Sequence, residues 1–261
     1  MIEIRPLRQF EEFAEAVRLQ QTIWGFDDIE MLPLRSFVVY GKIGGQLFGA
    51  YDGGEMVAFL IAVPGIKPGP RPYLHSHMLG VLPAWRNAGV GRRLKLRQRE
   101  EALERGIELI EWTFDPLELK NAFFNLERLG AVVRQYAENQ YGVTASPLHG
   151  GLPTDRCIAE WWIDSPRVRS VLAGETVARR TEEVERIVFP SDIARIRSED
   201  PGRAREIQKI NGERFQRAFK RGLAETQDDW SCATFWYEPV PSAALPPMPD
   251  LKARTANFFA E

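Results

Sequence analysis

The sequence predicts an α/β or α+β fold, a mixed sheet with helices on its faces, followed by a smaller C-terminal segment. Three observations carry this. Over the first 164 residues the residue periods alternate in the order β-α-β-β-β-α-β-α-β-β. Asp52-Gly53-Gly54 joins two apolar runs and supplies the positive φ angles of a tight hairpin. A strand ending at Pro83 runs through a glycine-rich turn into a long charged helix.

The elements follow in order. Residues 2–7, IEIRPL, alternate apolar and polar and read as a strand. Phe10, Phe13, Ala14, Val17 and Trp24 recur at helical spacing, predicting a helix over 9–24. GQLFGAYDGGEMVAFLIAVPG is the hairpin, and 73–82 is the next strand. The helix over 89–106 stops at Gly106, and 107–114 is a buried strand. A short helix covers 121–129, and strands are expected at 131–135 and 157–163. We expect one domain over 1–164 and an accessory domain over 165–261. In the second, 165–180 is a surface helix, 184–189 a strand, and Ser191–Asp192 the cap of a short helix. Residues 202–221 form an amphipathic helix carrying Ile207, Ile210, Phe215 and Phe219, and 230–237 an aromatic strand.

Composition excludes several classes. The net charge of −2 leaves no global bias toward nucleic acid or an anionic membrane. No stretch of about 18 apolar residues is present to span a bilayer. Cys157 and Cys232 form neither a CxxC pair nor a disulfide framework, which fits a reducing compartment. The start, MIEIRPLRQFEEF, carries acidic residues where a signal peptide has an apolar core, so a cytoplasmic location is expected.

The turn Arg86-Asn87-Ala88-Gly89-Val90-Gly91, with Arg92, sits at a helix start. There the first N–H groups lack intrahelical partners and the helix dipole adds positive charge. Glycine lets a phosphate approach the backbone. The P-loop pattern fails because Arg92-Arg93 follow Gly91, and the dinucleotide pattern fails because Leu94 stands where a third glycine is needed.

LGVLPAWRNAGVG resembles the acyl-coenzyme A signature of the GCN5-related N-acetyltransferases, and NAFFNLERLGA resembles that family's second segment. The combination of WTFDP, NAFFNLERLGA and LPTDR resembles a bacterial branch of that family with a C-terminal extension. The resemblance implies a mostly antiparallel sheet in which the strand before the turn splays from its neighbour and pantetheine inserts beside it. It implies backbone contacts at Leu79, Gly80 and Val81, a diphosphate held by Arg86 through Arg92, and coenzyme-arm contacts at Asn121 and Phe124. The co-substrate is then acetyl-CoA or another short acyl-CoA such as succinyl-CoA, without a metal, and the acceptor a small-molecule amine. The alternative is a binding or sensing module of the same fold without turnover.

Acyl transfer needs a base for the amine, a donor for the oxyanion and a proton for the thiolate. The oxyanion donor is expected from a free N–H near Leu79 to Val81. The family's tyrosine position holds Leu126, which leaves the acid open: another residue supplies the proton, or a thiol of pKa about 8.5 leaves with little help. Tyr136 and Tyr141 are equal candidate substitutes, each weighed against a role as a plain sheet aromatic. His77, beside His75 on the same strand, Glu111 and Asp115 are candidate bases, and with Tyr141 they complete the expected catalytic set. Arg156 either pairs with Asp155 or grips a substrate carboxylate. Arg167, Arg169, Arg179, Arg180 and Arg186 are expected as a solvated face, or as partners of the adenosine 3′-phosphate or a carboxylated substrate. Helix 89–106 carries a second apolar line, Leu96 and Leu103, expected under the C-terminal segment or a second subunit of a homodimer.

Overall fold

The longest apolar runs form one central sheet. The structure, a computed structural model, describes residues 1–67, 71–142, 150–175 and 187–220, with the backbone alone for 186 and 236–240. Seven strands pair in the order β1-β2-β3-β4-β5-β7-β6. They are β1 (Glu3–Pro6), β2 (Gln46–Asp52), β3 (Glu55–Ile66), β4 (Pro72–Val81), β5 (Leu109–Phe114), β6 (Val132–Ala137) and β7 (Arg156–Trp162). Every pairing is antiparallel except β4 with β5. The sheet is therefore mixed and mostly antiparallel, as expected. Gly53 and Gly54, at φ 57° and 93°, make the β2–β3 turn that twist-matched hairpins require.

Helix α1 (Phe10–Trp24) turns Phe13, Ala16, Leu19 and Ile23 onto one sheet face. A helix that the periodicity does not reveal, α2 (Leu34–Lys42), follows it. It is short, starts behind Pro33 with no side-chain cap and buries only Phe37 fully, so its sequence carries no start signal. Helix α3 (Val90–Glu104) covers the opposite face with Val90, Leu94 and Ala102. Gln98 sits on that same buried line, where its backbone oxygen accepts from Gln46 Nε2 at 3.0 Å. Of the second apolar line, Leu103 packs on the main core and Leu96 stays half-buried.

The short helix α4 (Leu119–Phe123) continues as one wide π turn over Phe124–Arg128. Its end is closed by Arg167, whose guanidinium donates to the carbonyls of Gly130 and Leu126, both at 3.3 Å. Arg167 thus serves as a helix cap. Arg169 pairs with Asp164 at 3.5 Å, while the expectation for Arg179 and Arg180 lies outside the described residues.

The C-terminal part adds α5 (Pro166–Ala173), β8 (Arg186–Pro190), α6 (Ile193–Glu199), α7 (Pro201–Lys220) and β9 (Trp236–Val240). Strands β8 and β9 pair in parallel as a separate small sheet. Asp192 holds the cap position of α6 but makes no capping bond; its carboxylate pairs with Arg195. Ile187, Phe189, Ile196, Ile207 and Phe215 join the same buried cluster as Trp112 and Trp161. Phe215 stacks on Tyr136 with centroids 5.3 Å apart. Gly212 is required there, since a Cβ would come within 2.8 Å of the Tyr136 hydroxyl. Among the described residues no helix is long and apolar enough to cross a membrane.

Candidate active site

Two strands that pair briefly and then part create the site. Strand β4 meets β5 only at Leu74↔Ile110 and His75↔Glu111. Beyond His75 it continues to Val81 without a β5 partner, so a fork opens between the strands. A bulge lies at the same place: Ile61 pairs with Met78 and Ala62 with Ser76, leaving His77 as the extra residue. One added residue exchanges the faces of all that follow. Leu79 and Val81 therefore join Leu74 in packing on the α3 side, while Met78 packs on the α1 side. Gly80 also faces α1, where a Cβ would come within 2.8 Å of Ile23 and 2.9 Å of Trp24.

At the mouth of the fork the chain turns. Asn87 and Gly89 take positive φ angles of 61° and 77°. Gly89 is the N-cap residue of α3, and no side chain caps the helix. The first-turn N–H groups thus point out without an intrahelical acceptor, beside the positive end of the dipole. Arg86 Nε donates to the Val81 carbonyl at 3.2 Å and braces the turn against β4. The arrangement fits an anion of the diphosphate class.

Fork and turn share one cleft of about 1780 Å³. Of the residues expected at the coenzyme, Leu79, Val81, Arg86, Asn87, Gly89, Val90, Gly91, Arg92, Asn121 and Phe124 line it. Ala88 is exposed in the same turn, and Gly80 sits in β4 between two lining residues. Ile23, Trp24, Phe26 and Glu30 form a further wall that the sequence reading did not include. The signal was present in Trp24-Gly25-Phe26: Gly25 ends α1 at φ 65° and lets the two rings stack at 5.3 Å.

His77, Asp115 and Tyr141 also line the cleft, as do Thr113 and Arg156. The Tyr141 hydroxyl is 2.9 Å from Thr113 Oγ1 on β5. Its loop is held by Thr154, which is fully buried, accepts the Tyr141 N–H at 2.9 Å and donates to the Gly142 carbonyl at 2.7 Å. This explains the LPTDR stretch: its threonine fixes the turn that presents Tyr141. Tyr136 instead donates to Asp155 at 2.6 Å and sits under α7; burial pushes its hydroxyl pKa far above the ordinary value. Tyr136 is outside the cleft lining.

His77 is open to the cleft, yet the surrounding walls desolvate it and lower its pKa below the usual imidazole value. His75, half-buried, falls further, to about 4, through burial first and then the neighbouring His77 and lysines. Glu111 lies outside the cleft lining, 4% exposed and ion-paired with Lys67. Asp115 accepts from the Leu117 N–H at 2.8 Å and pairs with Arg197 of α6 at 3.3 Å. Arg197, 7% exposed, also reaches Glu118 at 3.0 Å. The Asp155 carboxylate is taken by Tyr136 and the Asn139 N–H, so Arg156 donates to the Asp155 backbone oxygen and lies over the Tyr141 ring at 5.4 Å. Burial lowers the Arg156 pKa. Among the described residues no group of three His, Cys, Asp or Glu is placed to hold a metal.

Comparison with known proteins agrees with this geometry. Residues 11–130 match the model of the acetyltransferase (GNAT) family. The ribosomal-protein-S18-alanine N-acetyltransferase of Escherichia coli superposes with a TM-score of 0.50 at 19% identity, over 63% of this chain and 96% of that one. YncA of Salmonella typhimurium, solved with its cofactor acetyl-CoA, gives 0.51 at 17% identity, over 63% and 95%. Arabidopsis thaliana NAA60, solved with a bisubstrate analogue, gives 0.50 at 16% identity, over 63% and 100%. At such identities the likeness speaks for the fold. No curated protein matches the chain in sequence. Residues 11–130, which hold the β4–β5 fork and the uncapped start of α3, thus match the acetyltransferase (GNAT) family, and the fold is the one those solved acetyltransferases share.

Proposed function

We propose that the chain is an acyl-CoA-dependent N-acyltransferase that moves an acetyl or other short acyl group to the amine of a small molecule. The observation that carries this is the coincidence of two features. Strand β4 abandons β5 after His75, and an uncapped helix start with two positive-φ residues closes the same cleft. The first offers a strand edge to pantetheine, the second a cradle to the diphosphate. Asn121 of α4 and Phe124 of the π turn that continues it flank the coenzyme arm, and the cleft wall at Ile23, Trp24 and Phe26 shields it from water. Of the C-terminal part, α5 reaches the cleft through Val171 and Leu172, and α6 and α7 act as an accessory layer against the sheet.

The amine attacks the thioester carbonyl directly in a ternary complex. His77 is the base: its lowered pKa keeps it neutral, with a lone pair to take a proton from an ammonium. A backbone N–H on the free stretch of β4 faces the oxyanion. Tyr141 gives its proton to the leaving thiolate in place of the family's tyrosine, whose position holds Leu126. Thr113 orients the Tyr141 hydroxyl. Arg156 sits behind Tyr141 and suits a carboxylate on the acceptor or on a succinyl group.

The test is thiol release from acetyl-CoA and succinyl-CoA over a panel of small amines. Tyr141→Phe should lower kcat at least ten-fold with the KM for the acyl donor unchanged. Equal kcat in the variant removes Tyr141 from the chemistry. A second reading rests on Leu126: a module that binds acyl-CoA without turnover. Saturable binding with no thiol release from any pair would favour it. No binding of any CoA species would sink both.

A further inference from the structure

Helix α3 buries a charged side chain. Lys95 is 3% exposed. Its Nζ donates to Ser76 Oγ at 2.9 Å and to Gln98 Oε1 at 3.1 Å, and lies 3.6 Å from the centroid of the Trp112 ring. An amine of this kind is costly to remove from water, and burial drives its pKa well below the usual lysine value. A leucine or methionine would cover the sheet without that cost, so the place of the amine is informative.

The last rung of the parallel β4–β5 ladder is His75↔Glu111. Its continuation would set Ser76 opposite Trp112. Those two residues hold Lys95 between them: one through a hydroxyl on β4, the other through a ring on β5. The same helix begins at the glycine turn and so ties the fork to the anion cradle. Gln98 anchors the amine from the next turn of α3, and its backbone oxygen is held by Gln46 of β2.

We propose that Lys95 is the wedge that stops the β4–β5 ladder at His75 and sets the width of the fork. It is a positioning residue: it is absent from the cleft lining and acts through the two strands. The consequence for the coenzyme rests on the acyltransferase reading above; the consequence for strand pairing does not.

The test is Lys95→Met in the full chain, with Ser76→Ala as a second variant. Methionine keeps the length and removes both hydrogen bonds. Without the wedge the ladder extends by one or two rungs. Hydrogen exchange of amides in 76–78 and 112–114 should then slow at least ten-fold in the protein free of coenzyme. The dissociation constant for CoA should rise at least ten-fold, as should the KM for the acyl donor, while the KM for the amine holds. Ser76→Ala should move the same readouts in the same direction, and the double variant should be no worse than Lys95→Met, because the two groups act as one. Unchanged exchange overturns the proposal. So does faster exchange at those amides, the mark of a loosened core. Wild-type affinity for CoA in Lys95→Met overturns it equally. If the wild-type chain binds no CoA, the acyltransferase reading falls and the exchange measurement alone decides the wedge. If Lys95→Met does not fold, Ser76→Ala decides it by the same two readouts.

Discussion

Arg197 gives the most direct test of how the C-terminal part supports the cleft. Replacing it with methionine keeps a long flexible chain and removes the charge. Its partner Asp115 has only 12% of its side chain exposed, while its second partner, Glu118, has 47% exposed. Breaking a buried pair by removing one member costs about 3–5 kcal/mol, because the other charge stays buried. The exposed Glu118 contact adds at most about 1 kcal/mol. The N–H of Leu117 still bonds the Asp115 carboxylate and offsets part of the loss. We therefore expect Arg197→Met to cost about 3 kcal/mol, a fall in Tm of roughly 6–12 °C. The assay is thermal and urea unfolding of the full chain with Arg197→Met, Asp115→Asn and the double variant. Once Asp115 is neutral the arginine has less to balance, so the two losses should fall short of adding by at least about 1 kcal/mol. A loss below about 0.5 kcal/mol, or strict additivity, refutes the reasoning.

Two further predictions concern packing and pH. Gly80→Ala sets a Cβ within 2.8 Å of Ile23, 2.9 Å of Trp24 and 3.1 Å of Phe59, so α1 must shift from β4. The expected loss is about 1–3 kcal/mol in urea unfolding, whereas an unchanged midpoint would mean that α1 moves freely. His75 has its pKa lowered from the ordinary 6.5 to about 4. Between those values the unfolded chain binds a proton that the folded one refuses, so stability falls as pH drops from about 6.5 to 4. The loss is at most about 3 kcal/mol, and less to the extent that water screens the half-buried ring. His75→Asn should flatten this limb of the pH–stability curve; an identical limb in the variant would show that other groups carry it. Acid loss through Glu12, whose pKa is lowered to about 2 by hydrogen bonds from Arg8, Gln9 and Arg5 that outweigh its burial, belongs to a separate window at lower pH.

What the sequence determined by itself is what short stretches decide. Helical spacing marked α1 and α7, and the glycines at 53–54, 89 and 106 marked turns whose φ angles other residues avoid. The helix over 90–104 came within a residue or two of its expected ends because both flanks carry glycine. The turn proposed above as an anion cradle was legible for the same reason: it is one continuous stretch. Helix α2 was not, since it spans only nine residues behind Pro33 and no side chain caps its start. Tertiary structure decided the rest, because the deciding partners lie far apart along the chain. The parting of β4 from β5 depends on a pairing across 36 residues, and the bulge at His77 on the register with β3. Asp115 meets Arg197 from 82 residues away, and Thr113 meets Tyr141 from 28. A lysine in a charged helix reads as a solvated residue until the fold sets Ser76 and Trp112 on either side of it. Local backbone chemistry names an element; only packing says what each side chain faces.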